Sequence, residues 1–253
     1  MALLRDMLLI PLSPLWNNIS CTLVMLFYVK ACMEGAIWMR NRNRKLRGQQ
    51  LVHMALSSCL MFWPLYDPTD WSWRLNVLVP AVLATRLVFK ATLVRDPDDE
   101  DVMVMSRTSS PSGLLFGPLQ LTILMVWLGL TKFKSEEAAI LLAAAGIGDG
   151  VAPLIGNRYG RHVYRMPFSN NKTMEGSVCG VFLGTIAGYY LYSYFLGMME
   201  EWRPLRIVLA FGGIAAVVEG TSPGNMDNIL VPVIMHFSME RIDEWLVEED
   251  TGG

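Results

Sequence analysis

Residues 138–177 read AAILLAAAGIGDGVAPLIGNRYGRHVYRMPFSNNKTMEGS, and they decide the fold. The run through Gly156 is apolar except for Asp149. It is long enough to cross the hydrocarbon of a bilayer, which takes about 20 residues of helix. A carboxylate buried in that setting costs several kcal/mol unless it is paired, hydrated or bound to a metal. A glycine-punctuated basic loop follows, with Arg158, Arg161, His162, Arg165 and Lys172, and then Lys-Thr-Met-Glu-Gly-Ser leads into another apolar run. An acid at a membrane boundary beside glycines and cations suits a metal-bound polyphosphate.

The rest of the chain extends this pattern. Of 253 residues, 53% are hydrophobic and only 17% are charged, against about 25% in a soluble protein. Apolar runs at 18–39, 51–66, 74–94, 113–131, 137–155, 175–198 and 204–219 predict membrane helices, and a shorter run, Ile229–Met239, precedes an acidic tail. The predicted fold is an all-α polytopic membrane helix bundle with about seven to eight transmembrane helices. Pro64 is expected to end the second span early. A net charge of −2 with no basic excess speaks against nucleic-acid binding. Cys21, Cys32, Cys59 and Cys179 lie singly in apolar segments, which excludes a Cys/His zinc site. Pro11 and Pro14 interrupt the first apolar stretch, and residues 1–18 hold one arginine and one serine, so neither a secretory signal nor a transit peptide is expected there.

Charge sets the orientation. Residues 40–47, RNRNRKLR, carry five Lys or Arg beside the first span, which predicts a cytoplasmic or stromal loop. Alternation then puts 95–112, 156–174 and 220–228 on that same face and leaves 67–73, 132–136 and 199–203 on the other. The first face would gather Asp96, Asp98, Asp99, Glu100, Asp101, Arg107, the basic loop, Glu219, Asn225, Asp227 and Asn228, with His53 just inside the second span. The acidic run DPDDED reads as a solvated loop.

The residue types suggest roles. Asp149 suits a Mg²⁺ ligand on nucleotide phosphates or a base for an acceptor hydroxyl. Gly148, Gly150, Gly156 and Gly160 would let backbone N–H groups approach phosphate, or would serve close helix packing. Lys172 is a point charge for a β or γ phosphate. Thr173 would touch phosphate or metal, or cap the next helix, and Glu175 would hold metal.

GDGVAPLIGNRYGR followed by NKTMEGS resembles the signature of the CTP-dependent polyprenol kinase family. The matching residues are Asp149, Gly150, Ala152, Gly156, Gly160, Lys172, Thr173, Gly176 and Ser177. GNMDNILVPV resembles a later element of that family through Asp227, Asn228 and Pro232. LVHMALSSCLMFWPLY is similar to its early histidine segment, with His53 in place. SRTSSPSGLLFGPLQ resembles a segment of the phytol and farnesol kinase branch through Ser106, Arg107, Leu114, Leu115, Gly117, Pro118 and Leu119. The likeness runs from about residue 47 to 235, with Gln49 and Gln50 standing where the family often has Arg-Lys.

The resemblance implies a kinase-like membrane domain over 47–240. It follows an N-terminal segment, 1–46, with the first helix and the basic loop, and precedes an acidic tail, 241–253. It implies transfer of the terminal phosphate of CTP to an isoprenoid alcohol such as phytol, farnesol or geranylgeraniol, with Mg²⁺. Asp149, Lys172 and Asp227 would be catalytic. Gly148, Gly150, Gly156, Arg158, Gly160, Arg161, Lys172, Thr173, Gly176, Ser177 and Asn228 would bind nucleotide. Asp149, Glu175 and Asp227 would hold metal, and His53 and Arg107 would face the acceptor. The expected partners are the lipid alcohol, CTP and membrane lipids, with no nucleic acid, in a plastid or endoplasmic reticulum membrane. Other readings are a dolichol or diacylglycerol kinase, a CTP-dependent lipid cytidylyltransferase, and a cation-coupled transporter with Asp149 in its path.

Overall fold

The computed structural model describes residues 13–42, 48–106, 109–167, 171–201, 203–224 and 226–251. Helices dominate, as they must where no water is present to satisfy backbone groups. Helix α1 is Pro14–Arg42. Helix α2, Gly48–Ser57, tightens into a 3₁₀ segment, Ser58–Leu65, that carries Pro64 and stops there. Helix α3, Leu78–Phe89, is extended by a 3₁₀ turn before it and a wide π turn, Lys90–Val94, after it. Short α4, Glu100–Met105, leads to α5, Pro118–Thr131, which starts at Gly117 (φ +82°) with Pro118 in the first turn. Ser135 caps α6, Glu136–Leu142, by accepting the Ala138 N–H at 3.1 Å. A π segment, Ala143–Gly148, joins α6 to α7, Asp149–Tyr159. A hairpin of β1, Val163–Tyr164, and β2, Lys172–Thr173, precedes a second π segment, Gly176–Phe182, which runs into α8, Leu183–Leu196. Helices α9, Leu205–Thr221, and α10, Asp227–Thr251, complete the chain.

Five of these helical runs are long and apolar enough to cross a membrane: Pro14–Met39, Trp71–Val94, Pro111–Thr131, Glu136–Tyr159 and Gly176–Leu196. Gly48–Leu65, Leu205–Thr221 and Asp227–Thr251 are also helical but fall outside that length and composition. The run 136–159 is the central one: 72% of its apolar window is buried, against 28% for the first and second runs. The outer helices turn Phe27, Leu93, Val217 and Phe237 outward, each more than three-fifths exposed. On a soluble surface so many exposed large side chains would aggregate; on a bundle in lipid they are the solvated face.

Polar ties close one end. The Asn18 amide donates to the Asp67 carbonyl (3.0 Å) and the Ser72 hydroxyl (2.8 Å), and its oxygen accepts the Asp67 N–H at 2.7 Å. Lys134 donates to the Tyr66 carbonyl at 2.9 Å, and Arg203 pairs with Glu136 at 2.9 Å. These residues belong to the 67–73, 132–136 and 199–203 connections, which therefore share one end of the bundle. The acidic run lies near the other end; Asp96, Asp98 and Glu100 are exposed, as expected of a solvated loop, but Asp99 and Asp101 are not. Asp101 is buried, held by Arg86 (2.7 Å) and Lys90 (2.7 Å), and Asp99 is held by Lys90 at 2.7 Å, because the chain turns back onto the end of α3.

Small residues set the central register. Helix α7 and the Gly176–Leu196 run pass antiparallel with Gly148 against Gly184, Ala152 against Gly180 and Gly156 against Gly176. A Cβ on Gly184 would lie 3.2 Å from the Gly148 Cα, one on Gly180 only 2.3 Å from the Ala152 Cα, and one on Gly176 at 3.6 Å from the Gly156 Cα. Side chains four residues apart share a helix face, so the three pairs form one continuous seam. Gly180→Ala is expected to destabilise the protein by about 1–3 kcal/mol because backbone must move aside. Gly213→Ala, where nothing lies within 4 Å, is the neutral control. Thermal denaturation in detergent measures both.

Candidate active site

Seating Asp149 one residue beyond the seam carries it to the inner wall of a cavity of about 300 Å³. The hairpin covers this cavity, pairing Val163 with Thr173 and Tyr164 with Lys172. Asp149, Gly156, Lys172, Thr173, Gly176, Ser177 and Asp227 from the expected set all line it, joined by Gln50, Asn157, Asn171 and Glu219. Lys172 reaches inward between two acids. Its ammonium donates to the Glu219 carboxylate at 2.5 Å and to the Glu219 carbonyl, and lies 3.7 Å from Asp227 Oδ2. Asp227 sits in the first turn of α10, where the helix dipole favours a negative charge.

Asp149, Glu219 and Asp227 are all buried, and each offers an oxygen within 4.8 Å of the others. The three carboxylates lie with the Lys172 ammonium in a site largely shielded from water. One carboxylate oxygen, Glu219 Oε2, is buried without a hydrogen-bond partner. Such an arrangement is costly unless a cation completes it. An all-oxygen donor set of this kind matches a hard divalent ion. His53 Nδ1 stands 3.3 Å from Asp149 Oδ2 but makes no hydrogen bond there, and His53 does not line the cavity.

Prolines add to the site. Pro153 in α7 cannot donate to the carbonyl four residues earlier, that of Asp149, and Pro232 in α10 cannot donate to that of Asn228. Thr173 Oγ1 accepts the Gly176 N–H at 3.1 Å, so it caps the helix after the hairpin. Tyr164 and Ser177 are joined by a 2.7 Å hydroxyl pair that pins the hairpin to the bundle.

Several expectations are corrected by this geometry. Glu175 is absent from the acid cluster: its carboxylate accepts from the His162 N–H (3.3 Å) and pairs with the His162 ring at 2.8 Å. Glu219, at the end of a different helix, takes the third place. Gly148 faces Thr185 and Val181, and Gly150 faces Met54 and the Gln50 carbonyl, so both are packed between helices and neither lines the cavity. Gly160 packs against Thr173 at the foot of the hairpin. Arg158, in the last turn of α7, and Arg161, beyond its end, are exposed and outside the cavity wall. Asn228 lines a neighbouring void instead of this cavity, because adjacent helical residues point about 100° apart. His53 is buried behind Asp149 and does not line the cavity, while Arg107 lies outside the described residues. Gln50 had no signal as a site residue beyond its departure from the family pattern; its side-chain oxygen is buried without a partner at the cavity.

A buried acid cluster beneath a cationic hairpin, within a bundle of apolar helices, defines a membrane protein with a polar site at one end. A profile of the cytidylyltransferase family matches residues 6–226, and the chain belongs to this family. It is 29% identical over 218 residues to "Probable phytol kinase 2, chloroplastic" of Oryza sativa subsp. japonica, covering 83% of this chain and 69% of the relative. It is 28% identical to "Farnesol kinase, chloroplastic" of Arabidopsis thaliana (71% and 59% covered). It is 26% identical to "Phytol kinase 1, chloroplastic" of Arabidopsis thaliana (77% and 66% covered). The matched stretch thus spans about two thirds of these relatives' own length. No solved structure matches the chain.

The Glu175 carboxyl is held near 2, below its ordinary 4.5, by its own backbone N–H and by His162. A carboxyl lowered on folding adds stability that is complete above pH 4.5 and is lost as pH falls toward 2. Hydrogen exchange across 160–167 and 171–175, corrected for the intrinsic rate, is therefore expected to rise as pH falls below 4.5.

Proposed function

We propose that the chain is a membrane-embedded kinase for isoprenoid alcohols. It would move the terminal phosphate of CTP to the hydroxyl of phytol, farnesol or geranylgeraniol. The observation that carries this reading is the buried trio of Asp149, Glu219 and Asp227 facing Lys172 at a cavity under the hairpin. Relatives named as phytol and farnesol kinases supply the acceptor class. The CTP donor rests on the resemblance and on the family's name.

Mg²⁺ fits the donor set, and when bound it would neutralise phosphate charge and orient the transferred group. The protein residues divide the remaining work. Lys172 leaves Glu219 to meet a phosphate oxygen, which the triphosphate's greater charge favours. The hydroxyls of Thr173 and Ser177 stand along the same wall. In the reaction the alcohol oxygen bonds to the terminal phosphorus and the bridging P–O bond breaks. CDP departs, and the hydroxyl proton passes to a carboxylate of the cluster; Asp149 serves as that base or as a metal ligand. Positioning and charge neutralisation supply the rate. The shorter helices 48–65, 205–221 and 227–239 would complete seven to eight crossings. The site would face the stroma of a plastid membrane, in line with the chloroplastic relatives.

A cytidylyltransferase is the second reading, favoured by the family's description. Purified protein given CTP labelled at the γ phosphate, Mg²⁺ and each prenol in turn should place label in a prenyl monophosphate and release CDP. Release of labelled pyrophosphate with a cytidine-bearing lipid would overturn the kinase in favour of the second reading. Asp149→Asn should lower kcat by at least about 100-fold. Separately, Mg²⁺ should raise the Tm of the wild type and leave that of Glu219→Gln unchanged.

A further inference from the structure

A second cavity, of about 420 Å³, lies outside the polar site between α5 and α10. Its walls are almost wholly apolar: Ile123 and Trp127 on α5, and Ile229, Val233 and Phe237 on α10. All five are more than a third exposed, so the groove opens along its length to the side where lipid would stand.

The two ends of the groove differ from its walls. At the end near the acid cluster stand Gln120 and Asn228, both buried. Asn228 is 4% exposed, and its side-chain oxygen has no hydrogen-bond partner. Its main-chain carbonyl also lacks the donor that residue 232 would have supplied, because that residue is Pro232. The side-chain oxygen of Asn228 thus needs a hydroxyl or an N–H from elsewhere. A narrow void joins Asn228 to Asp149, Glu219 and Asp227, so a group held at Asn228 adjoins the cluster. At the far end His236 packs edge-on to Trp127 and is ion-paired to Glu137, itself paired to Lys132 at 2.6 Å. Lys132 belongs to a connection at the opposite end of the bundle. The groove therefore runs from the site toward the other face over about 12 Å, the rise from residue 228 to 236 at about 1.5 Å each.

We infer that this groove holds the tail of the isoprenoid alcohol, with its hydroxyl donating to Asn228. The inference rests on the kinase reading and gives it an acceptor site. The occupant must be apolar for most of its length, must carry one polar head, and must reach the groove sideways from the bilayer. A prenol meets all three requirements. A bulky charged headgroup does not fit between Gln120 and Asn228 without leaving its charge unpaired. Asn228, expected from sequence to touch nucleotide, then belongs to the acceptor. Helix α10 serves both substrates from adjacent residues, with Asp227 turned to the nucleotide cavity and Asn228 to the groove. The paired His236 forms a polar floor, so the chain beyond the first isoprene units leaves the groove laterally into lipid.

Photolabelling tests the site without relying on turnover. A farnesol analogue bearing a diazirine on its tail, added to the full chain in phosphatidylcholine vesicles, should label residues 123–127 and 229–237. Excess farnesol or phytol should chase this label, and diacylglycerol should not. Label elsewhere, equal chase by diacylglycerol, or cross-links from this groove to a second copy of the chain would each overturn the inference. Val233→Trp, on a partly exposed wall outside the acid cluster, should raise KM for farnesol at least tenfold while leaving KM for CTP unchanged. An unchanged farnesol KM in an active enzyme would also overturn it. Chased groove labelling in a protein that transfers no phosphate would instead refute the kinase reading and leave a prenol-binding groove standing.

Discussion

The close passage of α7 against the Gly176–Leu196 run is the constraint on which the site depends. Three pairs of small residues, four apart on each helix, let the two backbones touch. In a bilayer, where apolar side chains gain little by leaving lipid, such packing is a principal source of helix association. It also fixes geometry. With Ala152 against Gly180, Asp149 can stand only at the level where the hairpin delivers Lys172. The flanking π segments, Ala143–Gly148 and Gly176–Phe182, widen both helices beside this crossing, a distortion common at functional sites.

The electrostatics follow from that placement. Three buried carboxylates with oxygens within 4.8 Å of one another repel when ionised, and burial removes the water that would screen them. Lys172 offsets part of the charge and holds Glu219 and Asp227 in place. The all-oxygen donor set fits a hard divalent cation, and the proposed metal nucleotide would take over the partners of Lys172. The hairpin needs a rigid mount for this role, which Tyr164 with Ser177 and His162 with Glu175 provide. The two prolines, Pro153 and Pro232, each stand four residues after a polar residue of the site or the neighbouring groove and donate no helical hydrogen bond.

The sequence by itself determined an all-α membrane bundle, because long apolar runs with few charges have one solution in lipid. It also pointed to Asp149, Lys172 and Asp227, since charge beside apolar runs is conspicuous, and alternating loops foretold the shared face. It could not show which glycines serve packing and which line a cavity. The same residue type does both, and only the partner across the helix distinguishes Gly148 from Gly156. Glu219 was visible as an acid ending an apolar run, and Glu175 stood closer to the motif. Tertiary structure decided between them, because proximity in space depends on which helix ends meet, and the turn after Thr173 sends Glu175 outward to His162. Asp101 was masked by its acidic neighbours until the fold supplied Arg86 and Lys90. The groove between α5 and α10 joins residues more than a hundred positions apart, and helix packing alone brought them together.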